Sequence, residues 1–478
     1  MTREAVMRIT IIGGGPGGYT AAFEAARRGL AVTLVERAAL GGTCLNNGCI
    51  PTKTLRASAD ALSLAARLAE YGVNGCGVPA IDLDAVRVRK EKVIATLKGG
   101  LENACVHYGV TLRRGTGRVA DSRTVVVSGE TGEEHVSGDA VIIATGSRVL
   151  ELPGLPLDHE VICSSDDALR LTHGPRRLVI VGGGVIGCEM ACIYRAFGSE
   201  VTVVEGQDRL LPMPSVDSEV SVLLQREMRK QKIRVFTGKT LKDVRVENGM
   251  ARGMVAPSPF VSAPAAAAEE EALEADMVLV TVGRAPAVEG LGLSDVGVSV
   301  DRRGWIVADA NLQTSVPGIY AVGDILGPSR VMLAHAAAME GLYVVDALCG
   351  APRAMRYDSM PSAVFTAPEI GEVGLSEAQA REGGARVVCG VAQMRALGKA
   401  QAMGELPGFF KIVADAQSGR VLGVHIVGAH ASDMVAEAGL ALSVGLDVRC
   451  VAETVHAHPT LAEGLYEAAR ATLHAMEQ

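Results

Sequence analysis

One short pattern occurs twice in this chain, and few folds accommodate it. An apolar run, Arg8–Ile12, leads into Gly13-Gly14-Gly15-Pro16-Gly17-Gly18, where Gly13, Gly15 and Gly18 fit G-x-G-x-x-G. The first glycine permits a tight turn, the second lets backbone approach a pyrophosphate, and the third lets a helix pack on the strand. A helical stretch, Tyr19 to Arg28, then Gly29 and the strand Ala31–Val35 complete a βαβ unit, and Glu36 closes it. The second copy runs Leu178–Val181, then Gly182, Gly184 and Gly187 in the same frame, then the helix Cys188–Phe197, the strand Val201–Val204 and Glu205. Gly13 to Glu36 and Gly182 to Glu205 are each 23 positions apart. A carboxylate at the end of the second strand can accept both hydroxyls of a ribose, so two Rossmann-like dinucleotide-binding domains are expected. Glu205 would repel a 2′-phosphate, which makes NAD the expected ligand of the second site, with the nearby Arg209 softening that preference.

The rest of the composition agrees with an α/β protein. At 478 residues a length prior gives about three domains. Gly is frequent, 56 residues, and aromatics are scarce at 3%, as suits many strand–helix turns rather than an aromatic-rich β fold. The net charge of −8 argues against nucleic acid or an anionic membrane as the main partner. No apolar run is long enough to span a bilayer, and Met1-Thr2-Arg3-Glu4 enters a strand too soon for a signal peptide. A cytoplasmic location is expected. "DAVIIATGS" (139–147), "ADMVLVTVGRAP" (275–286) and "GIYAVGD" (318–324) read as closing strands of nucleotide-binding domains, the last placing Asp324 where it could hold a sugar-like hydroxyl chain. The stretch 256–275, "APSPFVSAPAAAAEEEALEA", has no periodicity and reads as an exposed insertion without a function.

Within "GGTCLNNGCIPTK" (41–53), Cys44 and Cys49 are separated by four residues. A staple, half of a metal site and a reversible disulfide all fit that spacing. The other close pair, Cys188 and Cys192, lies on a helical stretch and reads as buried apolar packing rather than the second half of a four-cysteine zinc site, and reduced thiols are the rule in the expected compartment. Pro51 suits a first helical turn, so Cys49 is expected at the N-terminus of a helix over Thr52–Glu70, where the dipole and Lys53 favour a thiolate. That placement serves a redox pair and does nothing for a staple. The other eight cysteines, at 76, 105, 163, 188, 192, 349, 389 and 450, read as small buried hydrophobes. Near the C-terminus, "HAHPTLAEG" (456–464) offers His458 as a proton carrier and Glu463 as the carboxylate that orients it, at the start of a helix over Thr460–Ala475.

These motifs, with "IIATGS", "VGGGVIGCE", "VGRAP", "QTSVPGIYAVGD", "MLAHAA", "APEIGEVGLSE" and "GVHIVG" in order, resemble the pyridine nucleotide–disulfide oxidoreductase family from end to end. The resemblance implies an FAD domain (1–150 with 283–350), an NAD domain (151–282) and an α+β C-terminal dimerisation domain (351–478). FAD would meet Gly13, Gly15, Gly18, Glu36, Lys53, Gly117, Thr145, Gly146, Ser147, Asp324, Met332, Leu333, Ala334 and His335. NAD would meet Gly182, Gly184, Gly187, Glu189, Glu205, Leu241 and Gly283. By the same resemblance, Cys44 exchanges with a dithiol substrate and Cys49 lies against the flavin. Lys53 and Glu189 look like a pair beside the flavin and nicotinamide. His458 and Glu463 would reach the thiols from the other subunit of a homodimer. The implied substrate is a dihydrolipoyl group on a lipoyl-bearing protein of a 2-oxo acid dehydrogenase complex or the glycine cleavage system. Asn47 and Thr52 depart from the valine and serine that the pattern leads one to expect.

Overall fold

Apolar residues dominate Arg8–Ile12, as a strand covered on both faces requires, here by helices on one side and by the antiparallel strands Thr116–Val119, Thr124–Gly129 and Gly132–Ser137 on the other. In the computed structural model, which describes residues 6–75, 77, 79–261 and 270–478, this strand is central to a five-stranded sheet. The order is Ile319–Ala321, Ala140–Ile143, Arg8–Ile12, Ala31–Glu36, Thr111–Arg114, all parallel. The helix after the first strand spans Pro16–Arg27, three residues ahead of the expected start. Proline has no N–H to lose at a first helical position, so the glycine run itself enters the helix. Its small buried face, Gly17, Gly18, Ala21, Ala22 and Ala25, admits the helix Ala334–Leu348 closely. A Cβ on Gly341 would stand 2.5 Å from the Gly17 carbonyl oxygen.

The second glycine pattern builds a matching sheet, ordered Arg234–Phe236, Glu200–Val204, Arg177–Val181, Met277–Val280, Ile162–Ser164 and again parallel throughout. Its helix spans Val185–Ala196 and also begins inside the glycine run. Beyond residue 360 the pattern changes to an antiparallel sheet, Ser362–Val364, Ile370–Gly374, Val421–Val427, Phe409–Asp415 and Val387–Gln393, covered by the helices Ala431–Val444 and Glu463–Met476. The expected class, two Rossmann-like domains with an α+β C-terminal domain, is the one found.

The chain divides into two compact units. One comprises 1–55, 84–150 and 283–357, and the other 56–83, 151–282 and 358–478. Within the second, a buried lysine ties the helix that follows the second parallel sheet's Glu200–Val204 strand to the C-terminal sheet. Lys411, 1% exposed, reaches Asp217 at 3.3 Å, Glu219 at 3.2 Å and Glu377 at 2.8 Å. Asp217 also caps the helix Ser218–Lys230 through Glu219 N–H and accepts Glu377 N–H. The Lys411 and Arg381 contacts hold the Glu377 carboxyl down at about 2.

Several sequence expectations change here. The stretch 256–275 is not wholly loop: Met250–Pro257 and Glu271–Ala275 pair antiparallel, Ala251 opposite Ala275 and Val255 opposite Glu271. Residues 262–269 of that stretch lie outside the described residues, as does Cys76. Cys105, Cys163, Cys188 and Cys192 are buried as expected, but Cys349 and Cys450 are exposed and Cys389 is half-buried. Cys349 is the C-terminal cap of the helix Ala334–Leu348, past its buried face. No single helix among the described residues is long and apolar enough to cross a membrane.

Candidate active site and dinucleotide cradles

Tight backbone turns shape the first cradle. Gly13 has φ +107°, and a Cβ there would lie 2.3 Å from the Ala144 carbonyl oxygen. At Gly18 a Cβ would lie 1.8 Å from the Gly13 carbonyl oxygen, so only glycine allows the strand and helix to meet. Glu36 turns back on this loop, accepting Gly14 N–H at 2.7 Å and Ala38 N–H at 2.7 Å. Gly117 is buried against the end of the first strand, its would-be Cβ 2.9 Å from Ile12. Thr145 Oγ1 is buried and has no hydrogen-bond partner among the described residues, an acceptor and donor left for a ligand. Next to it, Ser147 Oγ donates to Asp324 at 2.6 Å and accepts from Arg284 Nε at 2.5 Å. Asp324 is fixed by its own turn, because Gly323 N–H donates at 2.5 Å to Glu340, whose other oxygen accepts Tyr357 Oη–H at 2.5 Å. Met332, Leu333, Ala334 and His335 form the N-terminal entry of the helix Ala334–Leu348. The glycine cradle, the Glu36 carboxylate at the end of the second strand and the orphaned Thr145 hydroxyl together fit a dinucleotide.

The thiol pair belongs to the same unit. Residues Gly42–Asn47 form a short helix carrying Cys44 in its middle. Asn46 Nδ2 bonds the carbonyls of Leu40 at 3.1 Å and Gly42 at 2.9 Å, and Gly41, at φ +102°, opens the turn where a Cβ would strike Leu45. Asn47 is the last residue of that helix. The next helix begins at Cys49 itself and runs to Ala65, three residues ahead of the expected start and ending short of Glu70. Cys44 and Cys49 are hydrogen-bonded to each other. That bond, then burial, pushes the Cys44 thiol up, Asp324 acts in the same direction, and Lys53 opposes them. Cys49 is exposed and Cys44 half-buried. Sequence reasoning missed Tyr19, whose phenol is pushed up first by burial and then by its nearness to the two cysteine sulfurs. Its position directly after the glycine loop was the available signal.

The second cradle repeats the first. Gly182 has φ +107°, a Cβ on Gly187 would lie 1.9 Å from the Gly182 carbonyl oxygen, and a Cβ on Gly184 would enter open space at the helix N-terminus. Glu205 accepts Gly183 N–H at 2.5 Å and Gln207 N–H at 2.7 Å. This set also fits a dinucleotide. Arg209, expected to temper the preference for NAD, spends its guanidinium on the carbonyls of Val216 and Met213 and on Ser221 Oγ. Glu189 is buried and accepts Phe365 N–H at 2.9 Å. Leu241 lies in the strand Lys239–Glu247 with Val255 opposite. Gly283, at φ +136°, belongs to the other unit, where its carbonyl accepts Leu150 N–H at 3.3 Å.

His458 Nδ1 meets Glu463 Oε1 at 2.9 Å, with the histidine side chain 76% exposed and the glutamate 22%. Glu463 also accepts Thr460 N–H at 2.9 Å, which leads its helix to start at Glu463 rather than at Thr460. The Thr460 bond first, and His458 next, hold this carboxyl below its ordinary value. His456, not singled out in the sequence, is covered and bonds Glu437 at 3.0 Å.

Two nucleotide cradles, a bonded thiol pair and an exposed imidazole–carboxylate pair define a class of electron-transferring enzymes. Residues 7–341 match the model of the pyridine nucleotide-disulphide oxidoreductases and residues 360–469 that of their dimerisation domain, and the chain belongs to this family. It is 40% identical over 97% of its length to the dihydrolipoyl dehydrogenase of Haloferax volcanii, covering 96% of that protein. The dihydrolipoyl dehydrogenase of Geobacillus stearothermophilus is 38% identical over 97% of this chain and 95% of its own. Among solved structures, LpdA from Mycobacterium tuberculosis superimposes with a TM-score of 0.88 at 28% identity, covering 97% of this chain and 99% of that one. The HOCl-induced flavoprotein disulfide reductase RclA from Escherichia coli follows at 0.83 and 26%, covering 97% and 99%.

Proposed function

We propose that this chain oxidises protein-bound dihydrolipoyl groups, passing two electrons through Cys44 and Cys49 and FAD to NAD⁺. The observation that carries the reading is the bonded thiol pair, set at a helix start in the same unit as the first dinucleotide cradle. Full-length likeness to dihydrolipoyl dehydrogenases supports the choice of substrate. FAD would be held by the Gly13–Gly18 turn, Glu36, Thr145, Ser147 and Asp324, and NAD⁺ by the Gly182–Gly187 turn and Glu205. Bound there, the flavin supplies the two-electron acceptor and the nicotinamide the final hydride acceptor.

The chain's own residues handle the sulfur chemistry. His458, oriented by Glu463, takes the proton from one dihydrolipoyl thiol. The thiolate attacks Cys44 Sγ of the oxidised pair, the Cys44–Cys49 bond breaks, and Cys49 leaves as a thiolate. The second dihydrolipoyl sulfur then attacks the mixed disulfide, releasing the cyclic disulfide and Cys44. Two electrons have passed to the pair, and the protons leave through His458. Cys49, at the helix N-terminus, is the sulfur suited to stay anionic. The dimerisation domain supports a homodimer in which His458 and Glu463 serve the partner's thiols, and the lipoyl carrier would be a protein of a 2-oxo acid dehydrogenase complex or the glycine cleavage system. The cytoplasm, with its reduced thiol pool, is the compartment that fits a pair that must be reoxidised catalytically.

The test is spectroscopic. Purified protein should be yellow, and anaerobic dihydrolipoamide should reduce it with a long-wavelength band from thiolate beside flavin. Protein that binds no flavin, or flavin that dihydrolipoamide leaves oxidised, would overturn the reading.

A further inference from the structure

The stretch beginning at Ala256 read as a featureless insertion, yet its described part approaches the second cradle. Ser258 N–H donates to the Gly238 carbonyl at 3.0 Å, and Gly238 N–H donates to the Gln207 carbonyl at 2.6 Å. Lys239 N–H donates to the Glu205 carbonyl at 3.0 Å. Ser258 Oγ then accepts Phe260 N–H at 3.2 Å, turning the chain so that Phe260 comes against Gly206. Phe260 Cδ2 and Cε2 stand 3.0 Å and 3.5 Å from where a Cβ of Gly206 would be. The ring therefore uses room beside Glu205 that a side chain on the following residue would contest.

Phe260 is 67% exposed, the one phenylalanine among the described residues in the exposed class. An apolar ring open to water costs hydration free energy unless something covers it. We infer that Phe260 is the adenine-stacking residue of the second dinucleotide site. This deepens the NAD reading of Gly182–Glu205 and rests on it. Glu205 faces the adenosine ribose, and adenine is bonded to that same ribose, so the base must lie within a residue's reach of Glu205. Phe260 lies against Gly206, the residue that follows Glu205, with its ring open to solvent, and stacking on an aromatic ring suits every purine. The nicotinamide end of the ligand, carried by the other ribose, gains nothing from it.

The experiment is calorimetric titration of the flavin-loaded protein with ADP-ribose, AMP and nicotinamide mononucleotide. For Phe260→Ala, ADP-ribose and AMP should bind about tenfold more weakly while nicotinamide mononucleotide is unaffected, the size expected for loss of one base–aromatic stack. Phe260→Trp should keep wild-type affinity, and AMP should quench the added indole fluorescence. An unchanged flavin spectrum in both variants reports intact folding. If the wild type binds ADP-ribose and Phe260→Ala binds it equally well, the inference is overturned while the NAD site stands. If the wild type binds no ADP-ribose, the NAD site itself is refuted and the inference goes with it.

Discussion

At the scale of single residues, the chemistry depends on which atom holds a proton. Glu463 is held anionic by Thr460 N–H as well as by His458, so it remains available to support an imidazolium. His458→Ala should therefore slow the dithiol half-reaction by roughly two to four orders of magnitude, the usual worth of a general base. NADH-driven transfer to an artificial acceptor should be little changed, and equal losses in both assays would refute the base assignment. Cys44→Ser should abolish dihydrolipoamide-dependent NADH formation while leaving flavin bound, and retained turnover would exclude the disulfide route. Cys44, Cys49 and His458 could be singled out because each sits within a few positions of the glycine or proline of its motif, and Glu36 and Glu205 because each stands 23 positions after the first glycine of its turn. Tyr19 and Glu340 were not, since what each does is decided by atoms far along the chain: Cys44 and Cys49 for the first, Tyr357 for the second.

Elements reveal where local pattern stops being informative. Both glycine-turn helices start earlier than their apolar periodicity suggests, because the turn glycines are also first-turn residues. The helix Gly42–Asn47 went unread: it is short, glycine-bounded and built on side-chain bonds from Asn46. The two cradles can be separated experimentally. Gly18→Ala, with its Cβ 1.8 Å from a carbonyl oxygen, should yield protein without flavin colour, whereas Gly187→Ala, at 1.9 Å, should keep flavin and lose NAD⁺ binding. Flavin retained in the first or NAD⁺ affinity in the second would contradict the assignment of that turn. The Lys411 cluster was invisible in the sequence because its carboxylates lie 34, 192 and 194 positions away. Lys411→Met strands the buried Asp217 carboxylate and should cost about 3 kcal/mol or more of stability, read from a denaturant midpoint. Glu377 ionises at about 2 in the fold against an ordinary 4.5, so its stabilisation is complete above 4.5 and lost as pH falls from there toward 2. Glu377→Gln should flatten the stability-versus-pH curve in that window, and an unchanged slope would remove Glu377 from the account.

For the whole molecule, the two parallel sheets were readable from the repeated glycine turns, whereas the α+β domain from 351 onward was expected only from the family resemblance and its antiparallel pairing was not read at all. The pairing of Met250–Pro257 with Glu271–Ala275 was not readable either, because an alanine- and glutamate-rich segment gives no strand signal. If each active site draws His458 from one subunit and Cys44 from the other, inactive Cys44→Ser and His458→Ala chains, unfolded and refolded together, should recover about one quarter of wild-type activity through mixed dimers. Complete failure of complementation in verified mixed dimers would confine each site to one chain. Glu36 and Glu205, finally, are each clamped by two backbone N–H groups. The rotamer entropy of each glutamate is surrendered once, at folding, and not again with every molecule captured. For a cofactor that stays bound this matters little. For a nucleotide exchanged on each turnover, it favours rapid capture and release, with the heat of binding nearly free of any contribution from side-chain ordering at that carboxylate.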